Sequence, residues 1–338
     1  MATSSPKKST IARSILRLGF RGLEPVAPDT AARFAERLWF RLPARVARRV
    51  DVTSVDGVLG MRELLGMPFE VQLRGRVVRG WSWGEGPVVY LVHGWGGTLE
   101  QMTPLVSPLL ERGLGVVAFD GLSHGHSDPG RHGAESSDAV ELGRALDAVA
   151  ARFGPARAVV AHSMGALASL LAVRDGWLAT ERLVLVAPPT GIPDLLERLR
   201  AELGLGERSA RRLSERARRR TGYEVDVLDL VAIAATLSPV ERPELLVVHD
   251  LLDREAPHEP STRLVRSWPG AQLLSTAGLG HRRILADAAV AGAVARFVDR
   301  LPIEPTLHGD DRPQPLAAGV ALGSGREGAT PPVRAGAA

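Results

Sequence analysis

Residues 157–173 read RAVVAHSMGALASLLAV, and the fold turns on how this stretch is read. Its first half, Arg157–His162, is short, apolar and β-branched, as a strand buried on both faces must be. From Met164 onward it is rich in Ala and Leu and suits a helix. Ser163 stands between the two halves, with Ala161 two residues before it and Gly165 two residues after. Small residues there permit a turn tight enough to push a serine hydroxyl out at the carboxyl edge of a sheet. The same turn aims the next backbone N–H at that hydroxyl. Glycine is commoner at the first of these positions, and Ala161 is a departure that still fits. The bland alternative is a serine that only caps the following helix.

Working outward, five more short apolar stretches read as strands: Val88–His93, Gly115–Asp120, Arg182–Ala187, Glu244–His249 and Ala271–Thr276. Helical patterns lie near 99–112, 136–153, 164–175, 258–267 and 283–300. Upstream, Phe69–Arg74 and Arg76–Trp83 meet at Gly75, which suits a hairpin turn. The alternation predicts an α/β fold with a mostly parallel sheet opened by an antiparallel hairpin. Between Ala187 and Glu244 no strand is legible. Leu195, Leu196, Leu199 and Leu203 mark one amphipathic helix there, and an arginine-dense one runs near 207–220. A helical excursion of this kind, about 188–243, is expected to lie as a cap over the carboxyl ends of the strands. Its arginines (Arg198, Arg200, Arg208, Arg211, Arg212, Arg216 and Arg218–Arg220) read as a solvated face. An attraction for anionic substrates is the weaker reading.

Composition narrows the function. The 338 residues suit one large domain with appendages, or two small ones. The absence of cysteine excludes disulfides, a thiol nucleophile and Cys-based metal sites. No apolar run approaches a membrane span. The basic pair Lys7–Lys8 is not followed by an apolar signal region, so a cytoplasmic location is expected. A net charge of +4 argues against a nucleic-acid binder. The charge is uneven, since residues 1–50 carry eleven Lys/Arg against Glu24, Asp29 and Glu36. In that basic segment, residues 11–20 form a short amphipathic turn or two with Ile11, Ile15 and Leu18 on one face. A helix over 31–42 is capped by Asp29 or Thr30, presents Phe34, Leu38 and Leu42, and meets Pro43. Packing of this helix on the main domain is favoured over rest on an anionic membrane through Phe34, Leu38 and Trp39. The Pro/Gly/Ala-rich tail 303–338 is expected to be disordered.

Three more segments supply chemistry. Val88–Gly97, VVYLVHGWGG, delivers a glycine-rich turn after a strand, and its amides can bind a developing oxyanion. The two donors assigned are the N–H groups of Trp95 and Met164. Val247–Pro257, VVHDLLDREAP, places Asp250 and Asp253 after a strand, and Asp253 is taken as the acid that orients a histidine, with Asp250 as its competitor. Gly278–His281 puts that histidine on a glycine-flanked loop. The order Ser163, Asp253, His281 runs nucleophile, acid, histidine. His93, Gly94, His162, Leu195 and Leu199 are placed around the substrate pocket. The His124, His126, Asp128 run could open a binuclear metal site, but Pro129 stands where a further histidine is needed, and loop hydrogen bonding is the preferred reading.

Together these pieces resemble the α/β-hydrolase family over about residues 50–300. The nearest likeness is to bacterial members with segments of the type HGWGG, FDxxxHGxS, AHSxGA, HDxxDxxxP and WPGAxLxxTxGLGHRRIL. Here they are His93–Gly97, Phe119–Ser127, Ala161–Ala166, His249–Pro257 and Trp268–Leu285. The resemblance implies an eight-stranded, mostly parallel sheet flanked by helices, a helical cap and a Ser–His–Asp triad. The expected organisation is a basic helical segment over 1–49, a hydrolase domain over 50–302 and the tail. The expected activity is carboxylic-ester hydrolysis on a small acyl ester, without metal or cofactor. A thioesterase or acyltransferase with the same triad is the alternative within enzymes. A non-catalytic binding module is the alternative of another class.

Overall fold

In the computed structural model the described residues are 6–43, 66–240 and 242–300. The expected tail 303–338, the boundary at 49/50 and residues 1–5 lie outside them. Two helices open the chain, α1 (Pro6–Val26) and α2 (Pro28–Trp39). A hairpin follows, β1 (Met67–Leu73) and β2 (Arg76–Trp83), turning at Arg74 and Gly75, both with positive φ. Next come β3 (Val88–Val92), a 3-10 turn over Leu99–Leu105, α3 (Val106–Leu110), β4 (Gly115–Phe119) and α4 (Ala139–Phe153). Then come β5 (Ala156–His162), α5 (Met164–Arg174) and β6 (Thr180–Val186). Between β6 and β7 (Glu244–Asp250) run α6 (Ile192–Leu203), α7 (Glu207–Thr221) and α8 (Leu230–Thr236). The last elements are α9 (Glu259–Ser267), β8 (Gln272–Thr276), α10 (Gly280–Arg283) and α11 (Ala288–Asp299).

The eight strands form one sheet in the order β1-β2-β4-β3-β5-β6-β7-β8. β2 is antiparallel to β1 and β4, and the rest are parallel. Alternation along the parallel strands feeds two cores. Tyr90, Val92, Val159, Ala161, Leu183, Leu185 and Val247 face α4, α5, α8 and α9. Val89, Leu91, Ala158, Val160, Val184, Val186 and Val248 face α3 and α11. Burial on both faces is why these strands read as unbroken apolar runs. The register brings their carboxyl ends level: Val92 opposes Phe119 and Ala161, His162 opposes Val186, and Asp250 opposes Thr276. The loops after β3, β5, β7 and β8 therefore leave from one edge.

The basic segment differs from expectation. α1 is longer than residues 11–20. α2 is entered from Ala27 with Pro28 at its first position, so Asp29 and Thr30 lie in the first turn and do not cap it. A proline there is cheap, because its missing N–H has no intrahelical acceptor in any case. α2 also stops at Trp39, before Pro43. Its buried face is Ala31, Ala32 and Ala35, packed with Phe20, Leu203, Leu205 and Leu213, while Phe34 and Leu38 point outward. Among the described residues no helix is long and apolar enough to cross a membrane.

Candidate active site

β5 ends at His162 and α5 begins at Met164, so Ser163 alone makes the turn. Its φ of 51° and ψ of −123° are a strained combination for a residue with a Cβ. The Ser163 N–H donates to the Val186 carbonyl (3.0 Å) and its own carbonyl accepts from Ala166 (2.9 Å), which hold the turn at both ends. Gly165 is obligatory, because a Cβ there would stand 2.4 Å from the His93 carbonyl oxygen and 2.7 Å from that of Val92. Ala161 is fully buried, and its methyl group is accommodated in the core of α4 and α5.

Ser163 Oγ lies 2.9 Å from His281 Nε2, and His281 Nδ1 lies 2.7 Å from Asp253 Oδ2. The Asp253 carboxylate has no exposed side-chain surface. Burial pushes its pKa up, but the Ala256 N–H, the His281 ring and the Glu255 N–H outweigh this and hold it below the ordinary value. Both amides reach Oδ1, at 3.0 and 2.8 Å, which leaves Oδ2 turned to the histidine. His249 stands behind: its Nε2–H donates to the Ala256 carbonyl (3.1 Å) and lies 3.3 Å from Asp253 Oδ2, while its Nδ1 accepts from Ser261. Burial lowers the His249 pKa, so the neutral ring is favoured.

Asp250 is occupied elsewhere. It accepts from the Thr276 hydroxyl (2.7 Å) and from the amides of Leu252, Leu279 and Gly278 (2.9, 2.9 and 3.2 Å). It thus clamps the loop that carries His281. Burial raises its pKa, but Thr276 and the amides overcome this and bring it to about 2. A folded-state pKa depressed in this way stabilises above the ordinary carboxylate pKa, and the contribution fades as pH falls toward about 2. Asp250→Ala is expected to cost about 2–4 kcal/mol at neutral pH, by orphaning buried donors. In urea melts the gap to wild type should narrow below about pH 4. A gap independent of pH would refute the clamp.

The Met164 N–H is the first of α5 and has no intrahelical acceptor. The turn after β3 is closed by Gly97 N–H to the Gly94 carbonyl (3.0 Å), and Gly96 N–H lies 3.3 Å from His124 Nε2. Among the described residues the Trp95 N–H takes no acceptor. A Cβ on Gly94 would come 2.8 Å from that of Ser163, so glycine lets the turn approach the serine. A cavity of about 490 Å³ opens here, and Gly94, Trp95, His162, Ser163, Met164 and His281 line it together with Leu195 and Leu199.

His93 does not join them, contrary to its expected place in the pocket. It is fully buried, with Nδ1–H donating to the Gly94 carbonyl (2.8 Å) and Nε2 accepting from Gly121 (2.9 Å). Desolvation takes its pKa down to about 4, so it props the turn as a neutral ring. His162 does line the cavity, and its Nε2–H donates to the His281 carbonyl (2.8 Å). His124 is tied to Leu122, and His126 lies 3.6 Å from Glu100. No cluster able to hold a metal ion occurs among the described residues. Sequence reasoning missed that α2 reaches the cavity: Trp39, Phe40 and Pro43 form part of its wall. It also missed why α7 is rich in arginine. Arg212 and Arg216 pair with Asp29 and Glu36 of α2, and Arg220 pairs with Asp138 and stacks 3.9 Å over the Phe40 ring. The expectation of a solvated face fails for Arg216 and Arg220, while Arg212 keeps 41% of its side chain exposed.

The sheet order and the serine turn define the α/β-hydrolase class. Residues 89–295 match the model of the alpha/beta hydrolase family, and the chain belongs to that family. Among solved structures it is similar to the thioesterase domain from the curacin biosynthetic pathway, at 20% identity over 69% of this chain and 98% of that one, with a TM-score of 0.51. It is likewise similar to Est1E from Butyrivibrio proteoclasticus, solved with ferulic acid bound, at 17% identity over 68% and 96%, TM-score 0.52. A third is Est816, described as an N-acyl homoserine lactone degrading enzyme, at 16% identity over 68% and 99%, TM-score 0.52. At such identities the likeness is one of fold. No curated protein sequence matches the chain.

Proposed function

We propose that the chain is a serine hydrolase of carboxylic esters. The observation that carries this is the unbroken run Ser163–His281–Asp253, with links of 2.9 and 2.7 Å, opening on the cavity. His281 Nε2 takes the Ser163 proton as Oγ attacks the acyl carbon. Asp253 holds Nδ1 protonated and offsets the charge of the imidazolium. The N–H groups of Met164 and Trp95 receive the oxyanion. His281 then passes its proton to the departing alkoxide, which leaves an acyl-Ser163. Water, deprotonated by His281, attacks that acyl group, and the acid departs as Ser163 regains its proton. The apolar lining by Trp39, Phe40, Leu195 and Leu199 favours an acyl chain over acetate.

A fluorophosphonate probe tests the reading. Wild type is expected to be labelled and Ser163→Ala, checked for folding, to remain unlabelled. A folded wild type that resists labelling, or an alanine variant that still labels, overturns it. In a chain-length series of p-nitrophenyl esters, kcat/KM is expected to climb beyond acetyl. A series that falls from acetyl would discard the acyl-chain preference.

A further inference from the structure

α1 and α2 sort their side chains against the usual direction. The inner side of α2 is the alanine row Ala31, Ala32 and Ala35, and α1 contributes Phe20 to the same cluster. The large apolar side chains face out: Ile15 is 65% exposed, Leu18 67%, Phe34 51% and Leu38 42%. The charges are sorted in the same sense. Glu24, Asp29 and Glu36 all engage α7, Asp29 from an exposed position. Glu24 accepts from the amides of Arg208 and Ser209 and from the Ser209 hydroxyl. Asp29 pairs with Arg212, and Glu36 with Arg216. On α2, Arg33 and Arg37 are exposed and enter no ion pair among the described residues, whereas Arg17 and Arg21 of α1 lie beside Gly204 at the end of α6. What remains outside is Arg33 and Arg37 beside exposed Phe34 and Leu38 on α2, with Ile15 and Leu18 exposed on α1, and each carboxylate of the two helices engaged with α7.

We propose that this face docks on the surface of an anionic lipid bilayer. Apolar side chains that enter the interface beside cations that meet anionic headgroups are the two attractions a peripheral helix uses. A second copy of this chain fits less well. A two-fold interface would set the same arginines against one another, with no carboxylate of α1 or α2 free to separate them. Docking does not rest on the hydrolase reading, because it needs no turnover.

The test is co-sedimentation of the full chain with phosphatidylcholine vesicles, with and without phosphatidylglycerol, at low and high salt. Binding is expected on the anionic vesicles, about tenfold or more tighter than on neutral ones, and to weaken as salt rises. Ile15→Glu/Leu18→Glu/Phe34→Glu/Leu38→Glu and Arg33→Glu/Arg37→Glu should each lose about tenfold or more with an unchanged Tm, whereas Ser163→Ala should bind as wild type. Failure of the wild type to pellet, or equal pelleting of all variants, overturns the proposal. So does a dimer in sedimentation velocity that the four apolar substitutions dissociate, which would assign the face to a second copy.

Discussion

His281→Ala is expected to lower kcat for an activated ester by on the order of 10⁴- to 10⁶-fold, and adding Ser163→Ala to cost nothing further. The reason is geometric. With Nε2 2.9 Å from Oγ, the imidazole is the acceptor within reach of the serine proton. Without it the hydroxyl is as weak a nucleophile as any alcohol, so removing the hydroxyl as well removes nothing that still works. Asp253→Asn should fall less, by about 10⁴-fold, because the serine and the base remain but the tautomer is wrong. KM should change little in all three, since the apolar wall that holds the substrate is untouched. The check is steady-state kinetics with each protein's circular dichroism matched to wild type. Additive losses in the double variant would mean that the two residues do not act as a unit.

Gly165→Ala is expected to cost about 2–4 kcal/mol, a fall in Tm of roughly 5–15 °C. The added methyl group would meet two backbone carbonyls, of His93 and Val92. Neither can swing aside as a side chain would, so β3 or α5 must move. Both carry the groups assigned to the oxyanion, so turnover should fall in the folded protein too. Gly22→Ala on α1 is the matched control. A Cβ there meets nothing within 4 Å, and the change should leave the melt unaltered or raise it slightly. If the two glycine variants melt together, the close approach at Gly165 is not a constraint.

Much of the sheet was legible because its evidence is local. Each parallel strand is a short β-branched run, and the serine turn declares itself within five residues. The choice between Asp250 and Asp253 was not legible in the same way. Asp250 ends the strand that Asp253 follows, and only the register that sets Asp250 opposite Thr276 separates their tasks. His93 was misplaced because chain position cannot say whether a ring lies above the turn or beneath it. The basic helices were misread for a different reason. Periodicity gives weight to large side chains, so Phe34 and Leu38 marked the inner face. The actual contact uses alanines, which bring helices together by being small. No local signal could pair Glu36 with Arg216 or bring Trp39 to the cavity, since each depends on residues far along the chain.

That distance has a consequence during synthesis. Glu36 and Arg216 are 180 residues apart. At about 5–20 residues per second, α2 leaves the ribosome roughly 10–40 s before its partner helix exists. Through that interval its alanine row lacks Leu203, Leu205 and Leu213, with α1 alone beside it, and Phe34 and Leu38 are exposed as well. A helix made early is therefore secured late, and its ion pair to α7 cannot guide the folding of anything made in between.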